Sequence, residues 1–590
     1  MNDKIRLRFA PSPTGALHIG GVRTALYNYL FTQKMGGTLI LRIEDTDQTR
    51  YVPGAEAYIL ESLRWLGMEF DEGPGIGGDF GPYRQSERKS LYGKYAQDLI
   101  DTGNAYYAFD TAEELTAIRE DYELKKETFR YDGITRKQLK NSLTLSAEEV
   151  KTRLESGDPY VIRLKIPRDE EVIINDIVRE EVIFQTNELD DKVMLKGDGM
   201  PTYHLANIVD DHLMKISHVV RGEEWLPSTA HHVLLYRFLG WEDTMPQFAH
   251  LPLILKPSPG SYITKGNKEA LAERLVDEFF HQNQDVNETY RSGALAFLSQ
   301  IFQDKKNVVA KLKISKKDDD NKRALKVFLK SNLSGKLSKR DGDRLGFPVF
   351  PLSWEGKTKE DSFKGFREFG FMPQAMLNFL AFLGWNPGTE QEIFSLPEMV
   401  DAFSLDRIGK AGARFDFDKA KWFNQQYLIQ ADNAALAELL KPMAKEKKYE
   451  VTDEYLTAAV GMMKERVNTL PEIIETGYYF FEPVKEYEEK MILKKWNPDR
   501  KTTLLTLNEA LENLPDYNAE KLENTTKVYL ETNGLTFGDV FPFYRIALSG
   551  TTKGPALFEM MEALGTVEVK KRLLTAFPIF DEVFAKKNNS

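Results

Sequence analysis

The chain contains no cysteine, and that absence removes disulfides, thiol nucleophiles and every cysteine-ligated zinc arrangement. It also lacks an apolar run of about 18 residues that could cross a bilayer, and its start, MNDKIRLRF, has no apolar signal core. These gaps predict a cytoplasmic protein without a membrane partner. Excess positive charge is missing too: 79 Lys and Arg stand against 90 Asp and Glu, a net of −11. The overall balance therefore does not announce a nucleic-acid partner, although phosphate contacts need only a local basic face. Histidine is scarce, at eight. The pair His231-His232 invites a metal reading, but adjacent residues on a helix point about 100° apart and rarely share one ion. A core or solvated role is expected for this pair and for His204, His212, His218 and His250. No metal site is expected from Cys or His side chains.

What is present is a chain of 590 residues, 42% hydrophobic and 29% charged, ordinary for a globular protein and long enough for roughly four domains. Its organising stretch is residues 5–21, IRLRFAPSPTGALHIGG. Ile5, Leu7 and Phe9 alternate with Arg6 and Arg8, a strand pattern, whereas Val22, Ala25, Leu26, Tyr29 and Leu30 follow a helical period. His18, Gly20 and Gly21 thus sit where a strand turns into a helix. Unpaired amides and the dipole at a helix start favour an anion, glycine lets a phosphate approach, and His18 is placed to donate to it. An ordinary tight βα turn is the plainer reading of two glycines; Pro11, Pro13, Thr14 and Gly15 in the same turn favour function.

Downstream, Thr38–Ile43 reads as a buried strand ending in Glu44-Asp45-Thr46-Asp47, at the strand end where open α/β sheets hold ligands. Glu44 is a candidate for a ligand ammonium, or a turn cap. Residues 53–66 and 86–103 have helical patterns, with Ser86 suited to cap the second. From 105 to 190 the chain is mixed and charge-rich, and the sheet is expected to resume at Val193-Met194-Leu195. Arg8 and Arg221 both close apolar strands. With Tyr203 and an opposing Glu44 they make a pocket suited to an amino acid with two carboxylates, since guanidinium pairs carboxylate bidentately. Taken singly, each arginine is equally well a surface ion-pair member.

PSPTGALHIGG resembles the first signature of class I aminoacyl-tRNA synthetases, in the form used by glutamyl-tRNA synthetases; the second histidine common in that signature is here Gly21. RIEDTD, PTYHLANIVDDH and RGEEW are similar to the same family. The resemblance implies a Rossmann-like parallel sheet carrying an inserted acceptor-binding domain, then an all-α half. The boundaries would be 1–104 and 191–256 for the catalytic halves, 105–190 for the insertion, 335–404 for the second signature loop and stem-contact helices, and 405–590 for a helical anticodon-binding domain. An extra, mostly helical stretch, 257–334, has no recognised chemistry. A β-barrel anticodon domain would need many short alternating strands, and none are seen.

By the same resemblance Arg8, Ala10, Ser12, Glu44, Tyr203, Asn207, Arg221 and Glu224 bind the amino acid, with Glu44 on its amino group. His18, Gly20, Gly21, Lys336, Ser338 and Lys339 bind ATP, and His18 and Lys339 are catalytic. Two lysine runs compete for the second signature, Lys313-Ile314-Ser315-Lys316-Lys317 and Lys336-Leu337-Ser338-Lys339-Arg340. The second is preferred because Gly335 and Asp341-Gly342 make a turn-rich loop around it, whereas the first lies in a highly charged, helical-looking segment. The implied reaction is ATP-dependent ligation of L-glutamate to tRNA(Glu) by a monomer, with Mg²⁺ and without zinc. The alternatives are a glutaminyl enzyme and a catalytically silent tRNA-binding paralogue.

Overall fold

The computed structural model describes residues 4–263, 266–356, 358 and 361–588, without the side chains of 343, 344 and 586–588. It divides into two compact units, one of residues 1–368 and 376–417 and the other of 369–375 and 418–590.

The first unit is built on parallel strands. β1 (Arg6–Phe9) leads through the signature turn into α1 (Ile19–Lys34) and returns as β2 (Thr38–Leu41), which pairs in parallel with β1. Ser217 links β1 to the next sheet: its N–H donates to the Arg6 carbonyl at 2.9 Å and its hydroxyl accepts from the Arg6 N–H at 2.8 Å. All four residues of β1 are buried, arginines included. Arg6 makes a bidentate pair with Glu72 at 2.9 and 3.2 Å, so its charge is balanced where water is excluded. α1 is buried nearly all round rather than on one stripe. Tyr29 is only half-buried, while Arg23 and Tyr27 are buried and donate to the Leu383 carbonyl at 2.6 and 3.3 Å.

α2 (Ala55–Trp65) and α3 (Lys89–Asp101) fall where the helical patterns place them. Ser86 is not the cap of α3, which begins three residues later; it donates its N–H and O–H to Asp45 at 2.7 and 2.6 Å. β3 (Ala105–Ala108), α4 (Ala112–Leu124), α5 (Ala147–Glu155) and β4 (Val161–Leu164) follow. Next come β5 (Glu171–Asp176), β6 (Glu180–Gln185) and β7 (Val193–Leu195).

The strands partner differently from expectation. β7 does not resume the nucleotide-binding sheet but pairs antiparallel with β4 in a three-stranded sheet, order β3-β4-β7. β5 and β6, inside the stretch read as an insertion, join β8 (His218–Gly222) and β9 (Gln247–Leu251) in the order β6-β5-β9-β8. An apolar run identifies a strand, but its partner is a non-local choice that periodicity does not encode. Between β7 and β9 lie α6 (Tyr203–Leu213) and α7 (Leu226–Phe238).

After β10 (Ile254–Leu255) the 257–334 stretch is helical as expected, with α8 (Pro259–Tyr262), α9 (Lys268–Gln282), α10 (Arg291–Gln303), α11 (Val308–Lys311) and α12 (Asp320–Leu333). The chain then returns to β10, where Leu337 N–H donates to the Ile254 carbonyl at 2.8 Å. Every regular element among the second unit's described residues is a helix, and Trp496 packs against Phe543, Phe577 and Phe580. No described helix is long and apolar enough to cross a membrane.

Candidate active site

The carboxyl ends of β1, β2 and β8 and the first turn of α1 enclose a cleft of about 450 Å³. This is where parallel strands leave ligand space. The expected amino-acid residues Arg8, Ala10, Ser12, Glu44, Tyr203, Asn207, Arg221 and Glu224 all line it. His18, Gly20, Gly21 and Lys339 line it as well, whereas Lys336 and Ser338 do not.

His18 is the N-cap of α1, its Nδ1 accepting the Gly20 N–H at 3.1 Å. Ile19 N–H donates to the Val349 carbonyl at 3.0 Å and Gly21 N–H to the His18 carbonyl at 2.8 Å. The first amides of this helix therefore already have acceptors, so the glycines serve close approach: a Cβ on Gly21 would stand 2.6 Å from Leu17 Cδ1. With Nδ1 accepting, the ring proton sits on Nε2, and among the described residues that buried nitrogen has no partner of good hydrogen-bond geometry. Burial first, then Lys339 and Lys336, lower the His18 pKa to about 3, against a smaller upward pull from the Ser338 backbone. The ring is neutral at pH 7.

Lys339 ends close to the turn, its Nζ 3.6 Å from the place a Cβ on Gly15 would take, and Gly15 has φ +129°. A side chain at Gly15 would be strained and would crowd the ammonium. Lys339 has no ion pair among the described residues, and partial desolvation lowers its pKa although the side chain is exposed. Lys336 instead pairs with Glu224 at 2.9 Å. Ser338 donates both N–H and O–H to Asp341 Oδ2 at 2.6 Å, closing a turn. The competing run at 313–317 is a turn rather than a helix. Ser315 N–H donates to Asp318, Lys326 reaches the Lys313 carbonyl, and none of the run lines the cleft.

On the amino-acid side the charges are unevenly matched. Asp211 lies 3.0 Å from Arg8 Nε and 2.7 Å from Arg42, and Arg42 also pairs with Glu44 Oε1 at 3.0 Å. Asn207 donates to the same Glu44 oxygen at 3.0 Å, leaving Oε2 without a described partner. Arg221 is 6% exposed and forms no ion pair among the described residues: its partners are Tyr203 Oη and Thr229 Oγ1, each at 2.7 Å, His250 Nε2 at 3.1 Å and the Trp225 carbonyl at 3.4 Å. Burial lowers its pKa. A buried cation without a counter-ion is costly unless a ligand supplies the anion. Across the cleft, the spare Glu44 oxygen suits an ammonium.

Residues 4–345 match the family described as tRNA synthetases class I (E and Q), catalytic domain, and residues 435–577 match the family described as anticodon binding domain. The glutamate–tRNA ligase of Porphyromonas gingivalis is 47% identical over 98% of this chain and 99% of its own length. The chain belongs to the glutamate–tRNA ligase family. Another glutamate–tRNA ligase, from Cytophaga hutchinsonii, is 46% identical over 98% of each chain. The crystal structure of a glutamate tRNA ligase from Elizabethkingia meningosepticum, in complex with its amino acid, superposes with TM-score 0.81 at 43% identity, over 97% of this chain and 99% of that one.

Class I synthetases consume ATP. Sequence reasoning about this glutamate–tRNA ligase family member missed Asp211, His250 and Asp176. Tyr203, Asn207 and Asp211 recur at i, i+4 and i+8 on α6, a spacing that flags Asp211 as sharing the pocket face. His250 carried no local signal, and Asp176 lies in the stretch read as an insertion. The half-buried His204 ring lies 5.4 Å from that of buried His231 and 5.5 Å from that of buried His232. Among the described residues no group of three or more His, Asp or Glu is arranged to hold a metal ion.

Proposed function

We propose that the chain joins L-glutamate to tRNA(Glu) in two steps within this cleft. An oxygen of the glutamate α-carboxylate attacks the α-phosphorus of ATP, and the bond to the β-phosphate breaks to release pyrophosphate. The terminal ribose hydroxyl of the tRNA then attacks the acyl carbon, and AMP leaves. Neither step needs a covalent enzyme intermediate, so the side chains act by placement and by stabilising charge. The His18 Nε2–H and the Lys339 ammonium face the phosphates. Glu44 takes the ammonium of the substrate, and Arg221, supported by Tyr203, takes a carboxylate. ATP enters as its Mg²⁺ complex. The second unit engages the anticodon.

The observation that carries the reading is the buried Arg221, without an ion pair among the described residues, opposite Glu44 in the same cleft as His18 and Lys339. With Arg221 on the side-chain carboxylate, the neutral amide of glutamine would leave that guanidinium uncompensated, so the pocket favours glutamate over glutamine. The test is amino-acid-dependent ATP–pyrophosphate exchange with and without tRNA. Exchange with glutamate and not glutamine is expected. No exchange with glutamate under either condition would defeat the proposal.

A further inference from the structure

Behind Arg221 runs a buried chain of side chains that ends on a different sheet strand. Arg221 Nε donates to His250 Nε2 at 3.1 Å, and His250 Nδ1 lies 2.6 Å from Asp176 Oδ2, with the histidine and aspartate side chains both fully buried. The other Asp176 oxygen accepts the N–H groups of Val178, Arg179 and His250 at 2.9, 2.8 and 3.2 Å, so the carboxylate cannot rotate without breaking three bonds. Because Arg221 Nε is always a donor, His250 Nε2 must accept, and the ring proton must sit on Nδ1, facing Asp176. Neutral His250 is required, since a doubly protonated ring would point an N–H at an N–H. Burial accordingly lowers the His250 pKa.

Arg8 shows the alternative. Its Nε meets the Asp211 carboxylate directly, which neutralises it within the protein. Arg221 receives the same anchoring at Nε from an imidazole, and the carboxylate that fixes the tautomer stands one side chain further back. We propose that Asp176 and His250 are positioning residues that lock the plane of Arg221 and, by offering it a neutral acceptor, reserve its charge for the substrate carboxylate. Selectivity for an acidic amino acid then depends on two residues that do not touch the substrate.

This inference rests on Arg221 binding a substrate carboxylate, and the experiment separates the two. Glutamate-dependent exchange is measured with tRNA present, as KM for glutamate, KM for ATP and kcat. His250→Glu puts a carboxylate against Arg221; it is expected to raise the glutamate KM about tenfold or more and to narrow the preference over glutamine, with the ATP KM within about threefold of wild type. His250→Gln, which keeps an acceptor, should stay within about threefold, and His250→Leu, which removes it, should rise about tenfold. The Glu and Gln variants keep a polar group in the site, so the comparison stands even where the leucine variant does not fold. An unchanged glutamate KM in His250→Glu would overturn the proposal, as would glutamine and leucine variants of equal KM, or an ATP KM rising in step. Arg221→Gln is the control. If it too leaves the glutamate KM unchanged, the carboxylate reading fails; if it raises KM while the His250 variants are silent, only the positioning role fails.

Discussion

The turn carrying His18 and the loop carrying Lys339 face one cleft but are held by different means. Around His18 the amides of residues 19–21 all have acceptors, and the imidazole is fixed through Nδ1. Lys339 has only its neighbours fixed: Leu337 is tied to β10 and Ser338 to Asp341, while the lysine itself is exposed and forms no ion pair among the described residues. The histidine is placed before ligand arrives. The lysine keeps the reach of a long side chain and draws its electrostatic effect from charge alone. A rigid donor and an adaptable cation suit a phosphate chain that moves as pyrophosphate departs.

Substitutions can break that contrast. The largest effect is expected for Lys339→Ala, which should slow glutamate-dependent exchange by about 10²–10³-fold with an unchanged melting temperature, as for loss of one preorganised charge-stabilising group. His18 should separate into two functions. His18→Ala loses donor and cap, costing about 10²-fold in rate and about 1 kcal/mol in stability; His18→Asn keeps a capping side chain and recovers most of the stability but not the rate. Equal melting temperatures for the two variants would refute the capping role. Asp341→Asn should weaken the Ser338 turn and misplace the lysine, lowering exchange about tenfold while leaving the glutamate KM unchanged.

The buried, neutral state of His18 also sets a pH dependence of stability. Its folded pKa of about 3 lies below the unfolded value of 6.5. Below pH 6.5 the unfolded chain binds a proton there that the folded chain does not, so stability falls with pH by at most about 1.4 kcal/mol per unit. Melting temperatures at pH 7 and 5.5 should therefore differ less in His18→Asn than in wild type. The smallest effect is expected for Lys316→Ala, whose exchange rate should stay within about twofold of wild type because the 313–317 turn does not line the cleft.

Local sequence carried much of this site because its parts are local: a strand, a turn and a helix start lie within residues 5–21, and Glu44 ends the next strand. Elements with strong periodicity, such as α1, α3 and the helices of 257–334, were legible for the same reason. Pairing was not. Nothing in Val193–Leu195 says that its partner is β4, and nothing in Glu171–Asp176 says that it joins β9 and delivers Asp176 to His250. The arginines were identified as a pair, yet their difference was hidden, because it depends on Asp211 and His250 arriving from other elements. The 313–317 run looked helical from its charges, but Ser315 and Asp318 close a turn there instead.

The Val349 carbonyl that accepts the first amide of α1 has a consequence for synthesis of the chain. A nascent polypeptide that has exposed β1, α1 and β2 still lacks this cap, together with Lys339 and the rest of the segment that closes the cleft. Closing a loop of that length is entropically expensive and late. A growing chain therefore possesses its signature histidine long before it possesses the carbonyl that accepts the first amide of α1 or the lysine across the cleft.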